Sequence, residues 1–344
     1  MAAKSQNAKP APEKLQDAEV TPTAANKSDV LVFFGQDQKD VSALRHAQTI
    51  ARVFGGRVLL LRVMTPGANG TGPVDPVDWE IKKRMARRCL NRLAKAVETE
   101  SNGIETQLLE GRCAEQISAF VDTRKEDIAA ALRSREDGRW RLCDTISGVV
   151  NSNSPGILMI PETAPDLSEK GVQRILVPID GSARSESALP KAVALAKAED
   201  AELMLCYVTP DPGLTEFGVM DNKAMLLNSE VTKRNTRAGR AHLKRIKNRL
   251  AHHRLRISTR IVTSGDARRA LIQIATQEGA DFLVMATHGQ SGHSDVPAGD
   301  VASYILDRAD IPVLMVRHRL NDQDRHATGA VTSAGTGQPT RTDT

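Results

Sequence analysis

At 344 residues, 40% of them hydrophobic, the chain is long enough for two domains with a core in each, and with 3% aromatics those cores must be packed from Val, Leu, Ile, Ala and Met. No window approaches the ~18 uninterrupted apolar residues of a membrane helix, no apolar run follows the N-terminal lysines as a secretory signal would need, and Cys89, Cys113, Cys143 and Cys206 are too dispersed for a zinc site or a disulfide framework. These features fit a cytoplasmic protein with no membrane or metal partner, in which the net charge of +5 matters less than where the cations sit.

Residues 1–27 are rich in Ala, Pro, Lys, Glu and Gln without apolar periodicity and are expected to be a disordered tail. From there the pattern predicts a strand over Val30–Phe34 and an amphipathic helix over Ser42–Phe54, with Ala43, Leu44, Ala47, Ile50 and Ala51 on one face. Gly55-Gly56 stops that helix, and a second buried strand follows over Val58–Val63. A β-α-β unit of this kind implies parallel strands.

The unit recurs as a strand over Ile175–Ile179, a helix over Ser185–Ala198 and a strand over Leu203–Val208. A shift of 145 positions overlays the two without a gap, setting Leu31-Val32 on Leu176-Val177 and Val63 on Val208. Gly111 then matches Gly265 ahead of a helix, and Ile157–Ile160 matches Val313–Val316 as a closing strand. The duplication predicts domains over 28–163 and 172–318, joined by the polar linker 164–171 and followed by a disordered tail over 319–344.

The most informative stretch runs from Asp281 to Leu306. Phe282–Met285 reads as a buried strand, Gly289, Gly292 and Gly299 punctuate the loop after it, and Val301, Ile305 and Leu306 have helical spacing. Strand, glycine-rich loop and helix N-terminus together suit an anion, because unpaired N–H groups point outward and the helix dipole favours negative charge. Alternating strands and helices predict an open parallel sheet in each half, covered on both faces. Ligands of such sheets lie beyond the carboxyl ends of the strands, which sets Asp180, Val208 and the loop after Met285 on one rim.

Five segments in order, RILVPIDGSARSESAL, LCYVTP, a Gly-Asp-Ala helix start, VMATHGQSG with nine residues between Gly289 and Gly299, and IPVLMV, together resemble the universal stress protein family. The resemblance covers the second half whole and the first half more weakly. It implies a tandem member with a degenerate first domain, each domain a flavodoxin-like (Rossmann-like) α/β fold with an open parallel five-stranded sheet flanked by helices. Many members bind ATP and others bind no nucleotide. The nucleotide-binding set so implied is Pro178, Ile179, Asp180, Val208, Met285, Ala286, His288, Gly289, Gly299, Asp300 and Val301. In it Asp180 bonds the adenosine, backbone at Val208 lies against adenine, and the glycine loop cradles phosphates.

Two positions depart from the family pattern. Ala286 replaces the first glycine, which a negative φ would allow. Asp300 replaces a Ser or Thr; it reads as the N-cap of a helix over 301–308. A carboxylate there would repel a phosphate by roughly 1 kcal/mol in water and more in a drier pocket, unless Mg²⁺ bridged the two. In the first half Gly35 replaces the aspartate and the loop over 133–143 has only Gly138, so a structural role is expected. The family's duplicated sheets pair through their last strands, which would lay Gly156–Ile160 beside Ile311–Val316, Ile157–Ile160 against Val313–Val316, with a homodimer as a further option.

Residues 231–265 hold eleven Lys or Arg and no acid, and Lys82, Lys83, Arg84, Arg87, Arg88, Arg92 and Lys95 form a similar block. Such helices could meet nucleic acid, but a solvated helix face with Leu243, Ile246 and Leu250 turned inward is the plainer reading, and no aromatic between Gly218 and Asp281 supports base stacking. His288, His293 and Asp295 lack the three convergent ligands a metal requires and read as surface groups, as do His252-His253. Gly-Ser-Ala at 181–183 is not a nucleophile elbow and no Walker lysine follows the glycines, so no catalytic residue is assigned; slow ATP hydrolysis is left open. Ser182 and Ser185 read as caps for the next helix. The expected function is a non-enzymatic nucleotide sensor or switch acting on an unidentified protein partner. The alternative is a nucleotide-free interaction scaffold working through protein or weak nucleic-acid contacts.

Overall fold

The computed structural model describes residues 27–35, 42–66, 75–97, 104–133, 135–136, 139–140, 144–164, 167, 171–209, 222–263, 266–288 and 298–317. The first half runs β1 (Ser28–Phe34), α1 (Ser42–Val53), β2 (Gly55–Met64), α2 (Pro76–Val97), β3 (Glu105–Glu110), α3 (Cys113–Asp122), β4 (Ile128–Arg133), a short hairpin of β5 (Arg135–Glu136) and β6 (Arg139–Trp140), α4 (Asp144–Asn151) and β7 (Gly156–Pro161). The second runs β8 (Arg174–Pro178), α5 (Ala183–Glu186), α6 (Leu189–Glu199), β9 (Glu202–Val208), α7 (Asn222–Arg249), β10 (Ile257–Val262), α8 (Ala267–Gln277), β11 (Phe282–Ala286), α9 (Asp300–Arg308) and β12 (Val313–Val316).

The helix expected without a break over 185–198 is two helices. Ser182 caps the short α5 by accepting from the Ser185 N–H at 3.1 Å, and Pro190 stands at the start of α6. Proline has no N–H to continue the ladder and its ring crowds the carbonyl four residues back, so the helix restarts there.

The strands form one ten-stranded sheet in the order β10-β9-β8-β11-β12-β7-β4-β1-β2-β3. Pairing is parallel within each half and antiparallel at the seam, where Val313 faces Met159, Leu314 faces Leu158, Met315 faces Ile157 and Val316 faces Gly156. Two edges that would otherwise be open to other chains are thereby closed. Strand residues alternate between two cores, as the two-residue period requires. Val30, Val32 and Phe34 belong to the core covered by α1, α2, α6 and α7, and Leu31 and Phe33 to the core covered by α3, α4, α8 and α9. At Gly55 the backbone takes φ +66°, which side chains rarely adopt, and a Cβ on Gly56 would stand 1.9 Å from the Ser28 carbonyl oxygen, so that position has no room for one.

Two arginines cross the seam. Arg133, 3% exposed at the end of β4, donates to the Ala309 carbonyl just past α9. Arg317, just past β12, donates to the carbonyls of Val150 at 2.6 Å and of Ser152 at the end of α4. Each half thus places a cation at the negative end of a helix belonging to the other.

Candidate functional site

In the second half the strand order turns back on itself between β8 and β11, which are direct neighbours. The crevice beyond their carboxyl ends is where a doubly wound sheet leaves room for a ligand. Asp180 lies two residues past β8, half-buried. Its Oδ1 accepts from the Ser182 N–H at 2.9 Å and from the Ser182 hydroxyl at 2.6 Å, while its own N–H donates to the Ser185 Oγ at 3.3 Å. These bonds fix the carboxylate on the rim. Ser182 is the cap that the sequence reading expected; Ser185 instead turns back, its hydroxyl donating to the Ser182 carbonyl at 2.9 Å.

On the other side of the crevice β11 ends at Ala286. Ala286 is not among the non-glycine residues with positive φ, so the extra methyl is accommodated in extended backbone. The chain returns at Gly299, whose N–H donates to the Thr287 carbonyl at 2.8 Å. A Cβ there would lie 3.5 Å from that oxygen and 3.8 Å from His288 Cδ2, so Gly299 sits directly against the end of β11. His288 is half-buried beside it, its Nδ1 3.1 Å from the Thr287 hydroxyl.

The N-cap assignment of Asp300 is corrected. Gly299 is the N-cap of α9 with extended backbone (φ −68°, ψ 167°) and no side-chain cap bond; Asp300 is the first residue of the helix proper. Its side chain is 78% exposed and pairs at 3.1 Å with Arg268 near the start of α8. Arg268 also bonds Asp266, the N-cap of α8, at 3.0 Å, and holds that carboxyl below its ordinary range. The charge set against a ligand at this end is therefore a carboxylate already shared with a guanidinium, lessening the repulsion that the isolated residue implied. With no side-chain cap, the first N–H groups of α9 suit an anion.

The remaining expected residues contribute mainly backbone. Ile179, 2% exposed, and Met285 are in the cores, Val301 packs against the second core, and Pro178 is half-buried at the end of β8. Val208 ends β9 opposite Val262, its side chain against the second core. Gly289 lies outside the described residues, as do Gly292, His293, Asp295 and, in the first half, Gly138.

Sequence reasoning missed three neighbours of this rim. Tyr207 leans on Gly239 of α7, where a Cβ would come within 2.4 Å of the ring, and its phenol is pushed up by burial and by the nearby Asp180. An isolated glycine in a helical pattern was the available signal. Thr236 of α7 lies 3.3 Å, hydroxyl to hydroxyl, from the buried Thr209 just beyond β9, so α7 walls the crevice on the β9 side. Arg268 had no signal, since its partner is 32 positions away on another helix. Cys206, inside β9, has its thiol pushed up to about 12, chiefly by burial, and is inert as a nucleophile. Among the described residues no three His, Cys, Asp or Glu side chains are grouped to hold a metal ion, and no helix is long and apolar enough to cross a membrane.

The match to a family model described as "Universal stress protein family" spans residues 171–317. Over 148 residues the chain is 30% identical to Universal stress protein MJ0531 of Methanocaldococcus jannaschii, covering 42% of this chain and 82% of that one. It is 29% identical over 150 residues to Universal stress protein YxiE of Bacillus subtilis, covering 42% of this chain and 98% of that one. The crystal structure of a universal stress protein from Archaeoglobus fulgidus superposes with a TM-score of 0.61 at 15% identity, covering 85% of this chain and 98% of that one, which extends the likeness of fold across both halves.

Proposed function

Because the chain belongs to the universal stress protein family, we propose that its second half binds an adenine nucleotide in the crevice beyond β8, β9 and β11 and serves, with no chemistry of its own, as a cytoplasmic sensor. The observation that carries this reading is the position of Asp180 and the uncapped start of α9 on opposite sides of the point where strand order reverses. Adenosine would meet the Asp180 carboxylate and the backbone at Val208. The phosphates would meet the N–H groups of Asp300 and Val301 at the start of α9, with Arg268 offsetting Asp300. Mg²⁺, where it takes part, would arrive with the phosphates. Binding would bias the rim towards one conformation and so alter what a protein partner meets there, a population shift.

Titration calorimetry with AMP and with Mg-ATP tests this. Saturable heat below about 1 mM is expected. Asp180→Ala should weaken binding about 10-fold or more, from loss of a hydrogen bond to a charged group worth about 1.5–3 kcal/mol. Absence of heat from either nucleotide with the folded protein, or an unchanged affinity in the variant, refutes the proposal.

A further inference from the structure

The positive charge of this chain is concentrated on one layer of helices. α1, α2, α6 and α7 carry twenty Lys or Arg and four Asp or Glu, whereas α3, α4, α8 and α9 on the opposite face carry three and five. The strongest part is α7. Leu243, Ile246 and Leu250 bury one side of it, and Lys233, Arg237, Arg240, Lys244 and Lys247 stand exposed on another. Their spacing of four, three, four and three places one cation on each turn, in single file over about 21 Å of helix.

None of the five has a carboxylate partner among the described residues; Glu186, the acid that reaches α7, is engaged by His242 and Arg249. α2 differs: Lys82 pairs with Asp78 at 2.8 Å, Lys83 pairs with Glu80 and Glu110 at 3.0 Å, and Asn91 interrupts the row. A row of unpaired cations held at fixed pitch on a rigid helix is complementary to a regular polyanion. We infer that the exposed ridge of α7 docks the phosphate backbone of duplex nucleic acid without regard to sequence. Along about 21 Å of duplex axis, at one charge per ~1.7 Å, phosphates outnumber the five cations. The absence of aromatics from Gly218 to Asp281 removes base stacking and with it any call for single strands. Met225, Leu226 and Leu227 are exposed in the first turns of α7, but the rest of its apolar face is in the core, so the helix has no continuous apolar face to lay into a lipid surface.

The test is fluorescence anisotropy of the full chain with a labelled duplex of about 20 base pairs between about 50 and 200 mM KCl. Five phosphate contacts predict a log–log salt slope of about −4.5, a fall in affinity of about 500-fold over that range. Replacing Lys233, Arg237, Arg240, Lys244 and Lys247 together by Gln should abolish binding with the circular dichroism spectrum unchanged, and Arg240→Gln alone should lower the slope by about 1. Arg269→Gln, an exposed cation on the opposite face, should leave binding as it was. A slope shallower than about −2 overturns the inference, as does binding retained by the fivefold variant. Tighter binding to vesicles containing phosphatidylserine than to duplex at the same salt also overturns it.

Discussion

Replacing Arg317 by Met removes one tie between the second half and the first while keeping an apolar stem. The guanidinium donates to two carbonyls at the end of α4, Val150 at 2.6 Å and Ser152 on a fully buried residue. Hydrogen bonds to a charged group are worth about 1.5–3 kcal/mol each, and the carbonyls left behind have lost a donor that a methionine cannot supply. Against this stands the desolvation of the guanidinium itself, which burial pushes below its ordinary pKa and which the variant no longer incurs. The net loss should be about 2–4 kcal/mol, read as a lower urea midpoint by circular dichroism. Because the bonds cross the seam, the variant should also make unfolding less cooperative, one half melting ahead of the other. Arg133 donates across the same seam to the Ala309 carbonyl, whereas Arg317 donates to Val150 and Ser152. Arg133→Met and Arg317→Met should therefore combine additively to within about 0.5 kcal/mol. A loss below about 1 kcal/mol for Arg317→Met, with a single transition of unchanged slope, would refute the idea that these arginines bind the halves together.

Two further outcomes follow from the same coordinates. Gly56→Ala drives a methyl carbon to within 1.9 Å of the Ser28 carbonyl oxygen and 2.4 Å of its carbon, so the start of β1 must part from β2; a loss above about 3 kcal/mol is expected, and a variant that melts within a degree or two of the parent contradicts the packing at this turn. Asp281 accepts from the N–H groups of Gln173 and Arg174, at 2.7 and 3.0 Å, yet burial holds its pKa above the ordinary carboxylate value. The folded chain therefore keeps this proton to higher pH than the unfolded chain, and the corresponding stability is present below the unfolded pKa and lost as pH rises through the folded one. Measured from pH 4 to 7, the stability of the parent relative to Asp281→Asn should fall with rising pH; a relative stability that rises instead reverses the sign and rules the account out.

Most of the fold could be read from the chain because its signals are local. Val30–Phe34, Ile175–Ile179 and Phe282–Met285 are apolar runs too short for helices, and the duplication fixes which strand follows which. The rim was legible for the same reason: once strands and helices alternate, chain order and the strand reversal bring Asp180 and Gly299 to one end of the sheet. The break between α5 and α6 was carried by Pro190 and needed only that its missing N–H be weighed against the apolar pattern. Asp300 is different. Its identity predicts a cap, but the turn geometry gives that place to Gly299, and its charge is answered by Arg268 only because α8 and α9 pack side by side.

The seam shows most clearly where local reasoning stops. Strand register sets Leu132 opposite Ile160 and Ala286 opposite Val316, so Arg133 occupies in the first half the place that Thr287 holds in the second. In the second half that position opens the turn towards Gly299. In the first it carries an almost fully buried cation directed at the end of α9. A helix C-terminus at the seam needs a donor, and an arginine aimed at it is not free to make the turn that Thr287 makes with Gly299. Read alone, Arg133, the first of four arginines in RSREDGRWRLC, is one more surface charge. Read with the antiparallel pairing of β7 and β12, it is a residue by which the first half supports a helix of the second.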